Sequence, residues 1–296
     1  SDVAICYISD SVDQSVLNRM RKLIQSIDVD ALTMNIESLA ECMFTHKWIN
    51  PFPKFKYSER PDTATAAILD GNIVIMVDNS PAVMIIPASI FDIIEEADDF
   101  NFSPMIGSYL RITRFFFSIV TWILTPLWLL FVNNPDWVPE FMKFVLITDD
   151  ITVPVLLQLL ILELAVDGLK LAAVNTPTML STPLSIVAGI VVGEYAVSSG
   201  WFNPEALLYM AVVTVGTYGQ TNFEMGYAFK FLRVLTLILT QIFNLGGFIA
   251  GVVISVLMIA FNRTITGKSY IYPLIPWDGK MLKRKVLRVR LPHSYK

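Results

Sequence analysis

The chain has 296 residues, of which 54% are hydrophobic and 16% are charged, and its net charge is −4 at pH 7. Soluble domains average about 25% charged residues, so this composition excludes an ordinary soluble protein along the whole length. The charges fall into three regions: 16 acids and 7 bases in residues 1–110, 9 acids and 6 bases in residues 111–261, and 1 acid and 9 bases in residues 262–296. The acidic first region argues against nucleic acid as a partner.

The first region has the pattern of a small α/β domain, which we place at residues 1–102. We expect a strand at residues 3–8, helices at residues 12–27, 35–43 and 61–70, and a hairpin of strands 73–77 and 82–86. The chain starts directly in a predicted strand and shows no cleavable signal, so we expect a further N-terminal region before it.

Cysteines and histidines are scarce. Cys6 and Cys42 are the two cysteines, and in a cytosolic domain such lone thiols are more often buried filler than a disulfide. His46 and His293 are the only histidines, and no Cys/His cluster exists. We therefore expect no zinc site, and no other cofactor.

The middle region, residues 103–261, is predicted to be a membrane domain. Residues 234–261 contain no charged side chain, and about 20 apolar helical residues are enough to span a bilayer. Residues 103–114 are predicted to be a helix that leads into a first span. The predicted spans are residues 115–132, 184–198, 205–219 and 234–261.

The number of crossings follows from charge. The apolar segment at residues 151–162 is too short for a span, so we interpret it as re-entrant. Four crossings then place both Asp2 and Lys296 in the cytosol, which agrees with the basic tail at residues 262–296. The alternative is that residues 234–261 form a helical hairpin broken at Asn244-Leu-Gly-Gly. The predicted fold class is a multi-span α-helical membrane protein with an N-terminal cytosolic α/β domain.

Several carboxylates are candidates for an ion path. Glu194 has apolar sequence on both sides. Placing a carboxylate in hydrocarbon costs free energy unless the group is paired, protonated or in contact with water. The equally weighted alternative places Glu194 at the bilayer edge. Glu163 and Asp167 share a helical stretch with Lys170, which is typical of an amphipathic surface helix. In a conducting assembly the same carboxylates would form a vestibule that attracts cations.

Amides and glycines complete the candidate residues. Gln241 and Asn244 lie in the long apolar run, where amides bond a neighbouring helix more often than they line a pore. Two pairs of glycines spaced four apart would let helices approach closely, namely Gly189 with Gly193 and Gly247 with Gly251.

Enzyme motifs are scarce as well. Thr-Gly-Lys-Ser at residues 266–269 lacks the first glycine of a phosphate-binding loop and follows no predicted strand. No nucleophile elbow or zinc-protease motif is present. We therefore expect no enzymatic activity.

Three segments together carry a resemblance. They are Glu-Arg-Pro-Asp-Thr-Ala (59–64) with Asp-Gly-Asn-Ile-Val-Ile-Met-Val-Asp-Asn-Ser-Pro (70–81), Thr-Pro-Leu-Ser-Ile-Val-Ala-Gly-Ile-Val-Val-Gly-Glu-Tyr-Ala-Val-Ser-Ser-Gly-Trp (182–201), and Gly-Lys-Ser-Tyr-Ile-Tyr-Pro-Leu-Ile-Pro (267–276). The chain resembles, over nearly its whole length, the A subunits of spore germinant receptors, the GerA family.

The resemblance implies a subunit of an oligomeric channel, with a pentamer expected, in the inner membrane of the endospore. It also implies passage of monovalent cations during germination, other inner-membrane germination proteins as partners, and both chain ends on the spore-core side. Two other function classes remain open. One is a non-conducting scaffold or signal-transducing subunit, and the other is a secondary transporter, which usually needs internal repeats that this sequence does not show.

Overall fold

The computed structural model describes residues 2–29, 32, 34–43, 50–150, 152–175 and 189–288. The described chain is mostly helical with one small antiparallel sheet. It divides into two compact units. Unit 1 comprises Ser1–Arg114, Thr221–Met225 and Val256–Lys296, and unit 2 comprises Phe115–Gln220 and Gly226–Ser255.

The sheet of unit 1 has four strands in the order β1-β3-β4-β2, and every neighbouring pair is antiparallel. The strands are β1 (Val3–Cys6), β2 (Lys56–Ser58), β3 (Ile73–Val77) and β4 (Val83–Ile86). The predicted first strand and the predicted hairpin are confirmed, with Ile73 opposite Ile86 in the hairpin. β2 was not predicted, because its three residues offer too short a pattern to be recognised.

Helices cover both faces of this sheet. They are α1 (Gln14–Gln25), α2 (Ile36–Met43), α3 (Pro61–Leu69) and α4 (Ile90–Ile94). Since side chains alternate along a strand, one face of the sheet packs on α1 and α2, and the other packs on Ala64 of α3. Local chemistry sets the ends of these helices: the Asp13 side chain caps α1, and Pro61 opens α3.

The chain after the long apolar run also belongs to unit 1. Ile265 is 4% exposed and lies in the same core as α1 and the sheet. A further helix, which we did not predict, covers Gly279–Val286 and is α10 in chain order. The segment that the sequence set apart as a basic tail is therefore packed, as far as it is described, in the same unit as the α/β domain.

Unit 2 is helical. α5 (Pro104–Asn133) starts in unit 1 and continues into unit 2, with Pro126 inside it. Then follow α6 (Val155–Asn175), a π-helical segment Gly189–Tyr195, α7 (Ala196–Ser198), α8 (Pro204–Tyr218) and α9 (Phe223–Ala260). The predicted span at residues 184–198 lies partly outside the described residues. The predicted helices at residues 115–132 and 205–219 are confirmed as helices.

The core of unit 2 brings four helices together. The ring of Trp128 on α5 lies 4.8 Å from that of Tyr209 on α8, and its Nε1 donates to the Val145 carbonyl at 2.8 Å. Leu159 of α6 and Leu237 of α9 are fully buried in the same cluster. These contacts fix the helices that carry the candidate site.

The segment interpreted as re-entrant, residues 151–162, differs from that prediction. From Val155 the chain forms one helix of 21 residues that continues through Glu163 to Asn175. The sequence indicates that Glu163 ends an apolar segment. In the structure Glu163 instead lies within the helix and inside unit 2, where Arg233 neutralises its charge.

The long apolar run also differs from the single span that we preferred. α9 has 38 residues, but Asn244 has non-helical φ and ψ values of 52° and −129°. In a straight helix, Thr236 and Gly251 would lie about 22 Å apart. Here a Cβ built on Gly251 would lie 2.9 Å from the Thr236 Cα. The chain therefore reverses at Asn244 into the helical hairpin that was the alternative, with an outgoing limb (223–243) and a return limb (245–260).

Among the described residues, two helices, α5 and α9, are long and apolar enough to cross a membrane, by length and composition alone. In α9 that apolar length is divided between the two limbs of the hairpin. Large apolar side chains of both limbs are exposed, among them Ile242, Phe243, Ile249 and Val253.

Candidate functional site

The most conspicuous polar feature of unit 2 is a charged cluster between α6 and α9. It consists of Glu163 and Asp167 on α6 with Lys230 and Arg233 on α9. Arg233 Nε lies 2.5 Å from Glu163 Oε1, and Lys230 Nζ lies 3.4 Å from Glu163 Oε2 and also contacts Asp167 Oδ2. Glu163 and Arg233 are only 4% and 3% exposed.

Helical spacing creates this cluster. The two acids are four residues apart and the two bases are three residues apart, so each pair shares one face of its helix. The Arg233 Nη1 group also donates to the Thr121 carbonyl of α5. Three helices thus meet at one buried guanidinium, and the formal charges of the four side chains sum to zero.

The balance of charge matters for the predicted ion path. We proposed Glu163 and Asp167 as carboxylates that attract cations. In the structure both face bases, so their field is largely cancelled within the chain. Lys230 and Arg233 were not among the predicted site residues, because a count of charges by region does not show which charges pair. The signal was Lys230 and Arg233 at helical spacing just before an uncharged run.

Lys170, the third charge of the predicted stretch, has different neighbours. Its Nζ lies 5.2 Å from the ring centre of Tyr218 and 5.6 Å from that of Tyr227. A cation over aromatic faces is stabilised by the ring quadrupoles. This contact ties the end of α6 to α8 and to the start of α9.

Glu194 lies apart from the charged cluster. It sits in the π-helical segment Gly189–Tyr195, and its side chain is exposed. π-helical turns are rare and occur often at functional sites. A Cβ on Gly189 or Gly193 would meet no atom of the described residues within 4 Å. This segment therefore presents a carboxylate and two small residues on an open side of the chain as described.

The reversal of α9 places two amides together. Asn244 and Asn134, at the end of α5, exchange two side-chain hydrogen bonds of 2.6 and 2.9 Å. A positive φ is unfavourable for a residue with a side chain, so these bonds help to hold the turn. Asn134 was not among the predicted site residues. Gln241, one turn before the reversal, is exposed.

Gly247 and Gly251, the two glycines of α9 that were predicted to pack between helices, lie where the two limbs of the hairpin contact each other. A Cβ on Gly247 would overlap the Leu239 carbonyl, and one on Gly251 would lie 2.9 Å from Thr236. Both glycines therefore allow the two limbs to approach within one chain. No atom of the described residues lies within 4 Å of a Cβ built on Gly189 or Gly193, so this pair does not contact Gly247 or Gly251 in the described structure.

Unit 1 contains a second ionic cluster, which local sequence patterns do not indicate. Arg111 is 2% exposed and contacts Glu95 at 2.6 Å, Asp99 at 3.3 Å and the Arg284 carbonyl at 2.9 Å. Lys285 of α10 contacts Asp92 at 2.5 Å and Glu95 at 3.0 Å. The start of α5, the segment after α4, and α10 are thereby joined. Arg111 belongs to the helix predicted at residues 103–114, and its acidic partners in the structure are the fully buried Asp99 and the partly buried Glu95.

The protonation equilibria of this cluster are shifted. Burial alone would raise the pKa of Asp92 and of Glu95. The Lys285 ammonium holds both pKa values below their ordinary range, together with hydrogen bonds from Ser89 at Asp92 and with the charges of Arg111 and Lys56 at Glu95. Burial alone would lower the pKa of Lys285, but the two carboxylates raise it above its ordinary range. The charged form of each group is therefore favoured in the folded protein.

These shifts predict how stability depends on pH. The carboxyl groups stabilise the fold above their unfolded pKa values, near pH 4, and this contribution is lost as the pH falls through their lowered folded values. Lys285 stabilises below its unfolded pKa, near pH 10, and its contribution is lost as the pH rises through the raised folded value. We expect Lys285→Met to lower the unfolding temperature at neutral pH and to weaken the loss of stability on acidification, as measured by thermal unfolding from acid to alkaline pH.

The matched control for this change is Lys280→Met. Lys280 lies on the same helix but is exposed. Its replacement should leave the pH profile unchanged. Identical profiles for Lys285→Met and the parent would show that the ion pairs of Lys285 do not stabilise unit 1.

Comparison with known proteins identifies a family and several relatives that this chain resembles. The family described as "Bacillus/Clostridium GerA spore germination protein" matches residues 1–296. Stage V sporulation protein AF of Bacillus subtilis is 35% identical over 99% of this chain and 59% of its own length. Spore germination protein KA of Bacillus subtilis is 26% identical over 98% and 53%, and spore germination protein GerLA of Bacillus cereus is 26% identical over 97% and 58%.

No solved structure matches the chain. The chain spans less than two thirds of the length of these curated relatives. The family match nevertheless extends over all 296 residues, and the relatives are themselves sporulation or spore germination proteins. The chain belongs to the GerA family of spore germination proteins.

Proposed function

We propose that this chain is a membrane-embedded subunit of a germination complex that conducts monovalent cations across the inner membrane of the endospore. The observation that carries the proposal is the exposed carboxylate of Glu194 in a π-helical segment between apolar stretches. Two of the relatives are named spore germination proteins, which supports a role in germination. The proposed role involves no enzymatic chemistry.

The surface of unit 2 supports a membrane location. Exposed large apolar side chains occur along α5, α8 and both limbs of α9. In water such an area would be unfavourable, whereas in a bilayer it would contact lipid or neighbouring subunits. The charges of the buried cluster are paired, as charges within a bilayer must be.

The connectivity of the chain supports an even number of crossings. The chain leaves unit 1 after Arg114, is again part of it at Thr221–Met225, and joins it once more at Val256. A hairpin that goes out and back fits this pattern. If unit 2 crosses the bilayer, the described start of the chain at Asp2 and the described end at Arg288 are expected on one side. The excess of bases after residue 261 favours the spore-core side. Lys296 lies outside the described residues.

Glu194 is the better candidate for the path than Glu163 or Asp167. A ring of Glu194 carboxylates, one from each subunit of a homo-oligomer, would attract cations and repel anions. Glu163 and Asp167 already have bases as partners. Gly189 and Gly193 would let neighbouring helices approach near that ring. We propose a pentamer as the assembly, on the family resemblance.

We expect Glu194→Gln to lower cation flux or cation selectivity while leaving expression and assembly intact, because the change keeps the size and removes the charge. Glu194→Lys should have a larger effect. Flux is measured as potassium release from germinating spores or as current across planar bilayers. The matched control is Glu140→Gln, since Glu140 is exposed and pairs only with Lys143 at 2.6 Å among the described residues.

Unchanged flux and selectivity in Glu194→Gln would remove this carboxylate from the path and leave Gln241 and Asn244 as the next candidates. A parent protein that carries no current in any assembly would favour the other candidate, a non-conducting scaffold or signal-transducing subunit. The balanced charges of the buried cluster are the observation on which that candidate rests, because such a cluster stabilises helix packing without attracting ions.

A further inference from the structure

The last described part of unit 1 exposes an unusual mixture of apolar and basic side chains. Ile275 and Trp277 are 57% and 72% exposed, and Leu274 and Pro276 are exposed beside them. The first turns of α10 follow at once and expose Lys280 and Lys283. We call these six residues the 274–283 surface.

The backbone beneath this surface is held firmly. Tyr270 is fully buried, and its carbonyl accepts a 2.9 Å bond from the Ile90 N–H. Asp278 receives a bond from the Tyr272 hydroxyl at 3.2 Å, and its side chain caps α10 by accepting from the Met281 N–H at 3.1 Å. The exposed apolar side chains are therefore presented by an ordered segment.

The two sides of α10 differ in their charge partners. Lys285 points into the acidic groups of Asp92 and Glu95. On the other side, no carboxylate of the described residues forms an ion pair with Lys280 or Lys283. The outward side of this helix therefore has two lysines that form no ion pair with a carboxylate of the described residues, although Asp278 lies close enough to Lys280 to interact with it electrostatically. The exposed Trp277 lies next to them.

This combination matches the chemistry of an anionic lipid surface. Tryptophan is enriched where hydrocarbon meets headgroups, and aliphatic side chains beside it can enter the boundary. Lysines near an anionic surface contribute favourably, by about fivefold each in the binding equilibrium. A protein partner fits less well, because lysine is depleted at the centre of protein interfaces. The surface also follows closely along the chain from the end of α9 at Ala260.

We propose that the 274–283 surface docks on the headgroups of anionic lipids, with Trp277 at the boundary and Lys280 and Lys283 against the phosphates. This inference rests on the membrane location in the proposed function. It does not depend on conduction. Docking would fix the return limb of α9 to the membrane surface through the ordered segment that follows it.

The test uses the full chain reconstituted in vesicles. With Cys6 and Cys42 replaced by serine, Trp277→Cys is labelled with an environment-sensitive nitrobenzoxadiazole dye. Met34→Cys is the matched control, since Met34 is 71% exposed in the same unit. Ile275→Cys is a second position in case the first variant folds poorly. Vesicles contain phosphatidylcholine alone or an equal mixture with phosphatidylglycerol.

We expect the dye at position 277, and at position 275, to shift to shorter wavelength in the mixed vesicles and less in the neutral ones, with no such shift at position 34. Adding Lys280→Gln and Lys283→Gln should lower the ratio of docked to undocked surface by roughly 30-fold. High salt should act in the same direction.

Two results would overturn the inference. One is a dye that reports water at positions 275 and 277 in both lipid mixtures. The other is a shift that follows the protein-to-lipid ratio and ignores lipid charge, because a second copy of the chain would then be covering the surface. Flotation of the vesicles separates this failure from that of the proposed function. Protein that does not float with lipid would overturn the membrane location itself.

Discussion

Replacing Arg233 with alanine is expected to lower the free energy of unfolding by about 3–5 kcal/mol, because it leaves the carboxylate of Glu163 buried and poorly compensated. Lys230 would remain, with its Nζ 3.4 Å from Glu163 Oε2, but it also forms an ion pair with Asp167. The contact of Arg233 with the Thr121 carbonyl would be lost as well. Thermal unfolding of the purified protein in detergent, together with folded yield on gel filtration, measures the effect.

A second variant separates lost charge balance from lost packing. Changing Glu163→Gln together with Arg233→Gln removes both charges and keeps polar groups that can bond each other. The double variant should be more stable than Arg233→Ala alone. Lys143→Ala is the control, because Lys143 and its partner Glu140 are exposed and such pairs contribute little. If Arg233→Ala unfolds at the same temperature as the parent, the cluster does not hold the three helices together.

The α/β domain could be predicted from local patterns because its signals are local. Two β-branched runs on either side of Asp78-Asn-Ser-Pro indicate the hairpin of β3 and β4, and Pro61 marks the start of α3. What escaped prediction depends on contacts far apart in the chain. α10 is held within unit 1 by Lys285, whose partner Glu95 is 190 residues away in sequence.

The charged cluster shows the same limit. The acids Glu163 and Asp167 were identified from their apolar context, yet their role depends on Arg233, which is 70 residues from Glu163 in sequence. A single sequence does not say which helices are neighbours, so it could not show that the carboxylates are neutralised. Glu194 was identified by the same reasoning, and its exposure in the described structure leaves it as the stronger candidate.

The sequence supports the reversal at Asn244 only as an alternative, and the reason is physical. Both limbs of α9 are apolar and free of charge over most of their length, so composition does not distinguish one long helix from two short ones. The break was marked only by one asparagine and two glycines, which helices also tolerate in their interior at a modest cost. The close approach of Gly247 and Gly251 to the opposite limb decides between the two.

Gly251→Leu is accordingly expected to separate the two limbs of α9. A Cβ at this position would lie 2.9 Å from the Thr236 Cα and from the Thr236 Cγ2, so a leucine has no space unless the helix backbones move apart. Overpacking of this kind costs about 1–3 kcal/mol or more, and backbone contacts relax less readily than side chains. Gly246→Leu is the matched control, because a Cβ there would meet nothing within 4 Å among the described residues.

Spin labels at Phe231 and Ile254, which are both exposed, report the geometry directly. In a hairpin the axes of the limbs are about 8–10 Å apart, whereas one straight helix would separate these positions by about 35 Å. We expect a short distance in the parent and in Gly246→Leu, and a longer or broader distribution in Gly251→Leu together with a lower unfolding temperature. A parent distance near that of a straight helix would contradict the hairpin, and with it the out-and-back path that returns the chain to unit 1 at Val256.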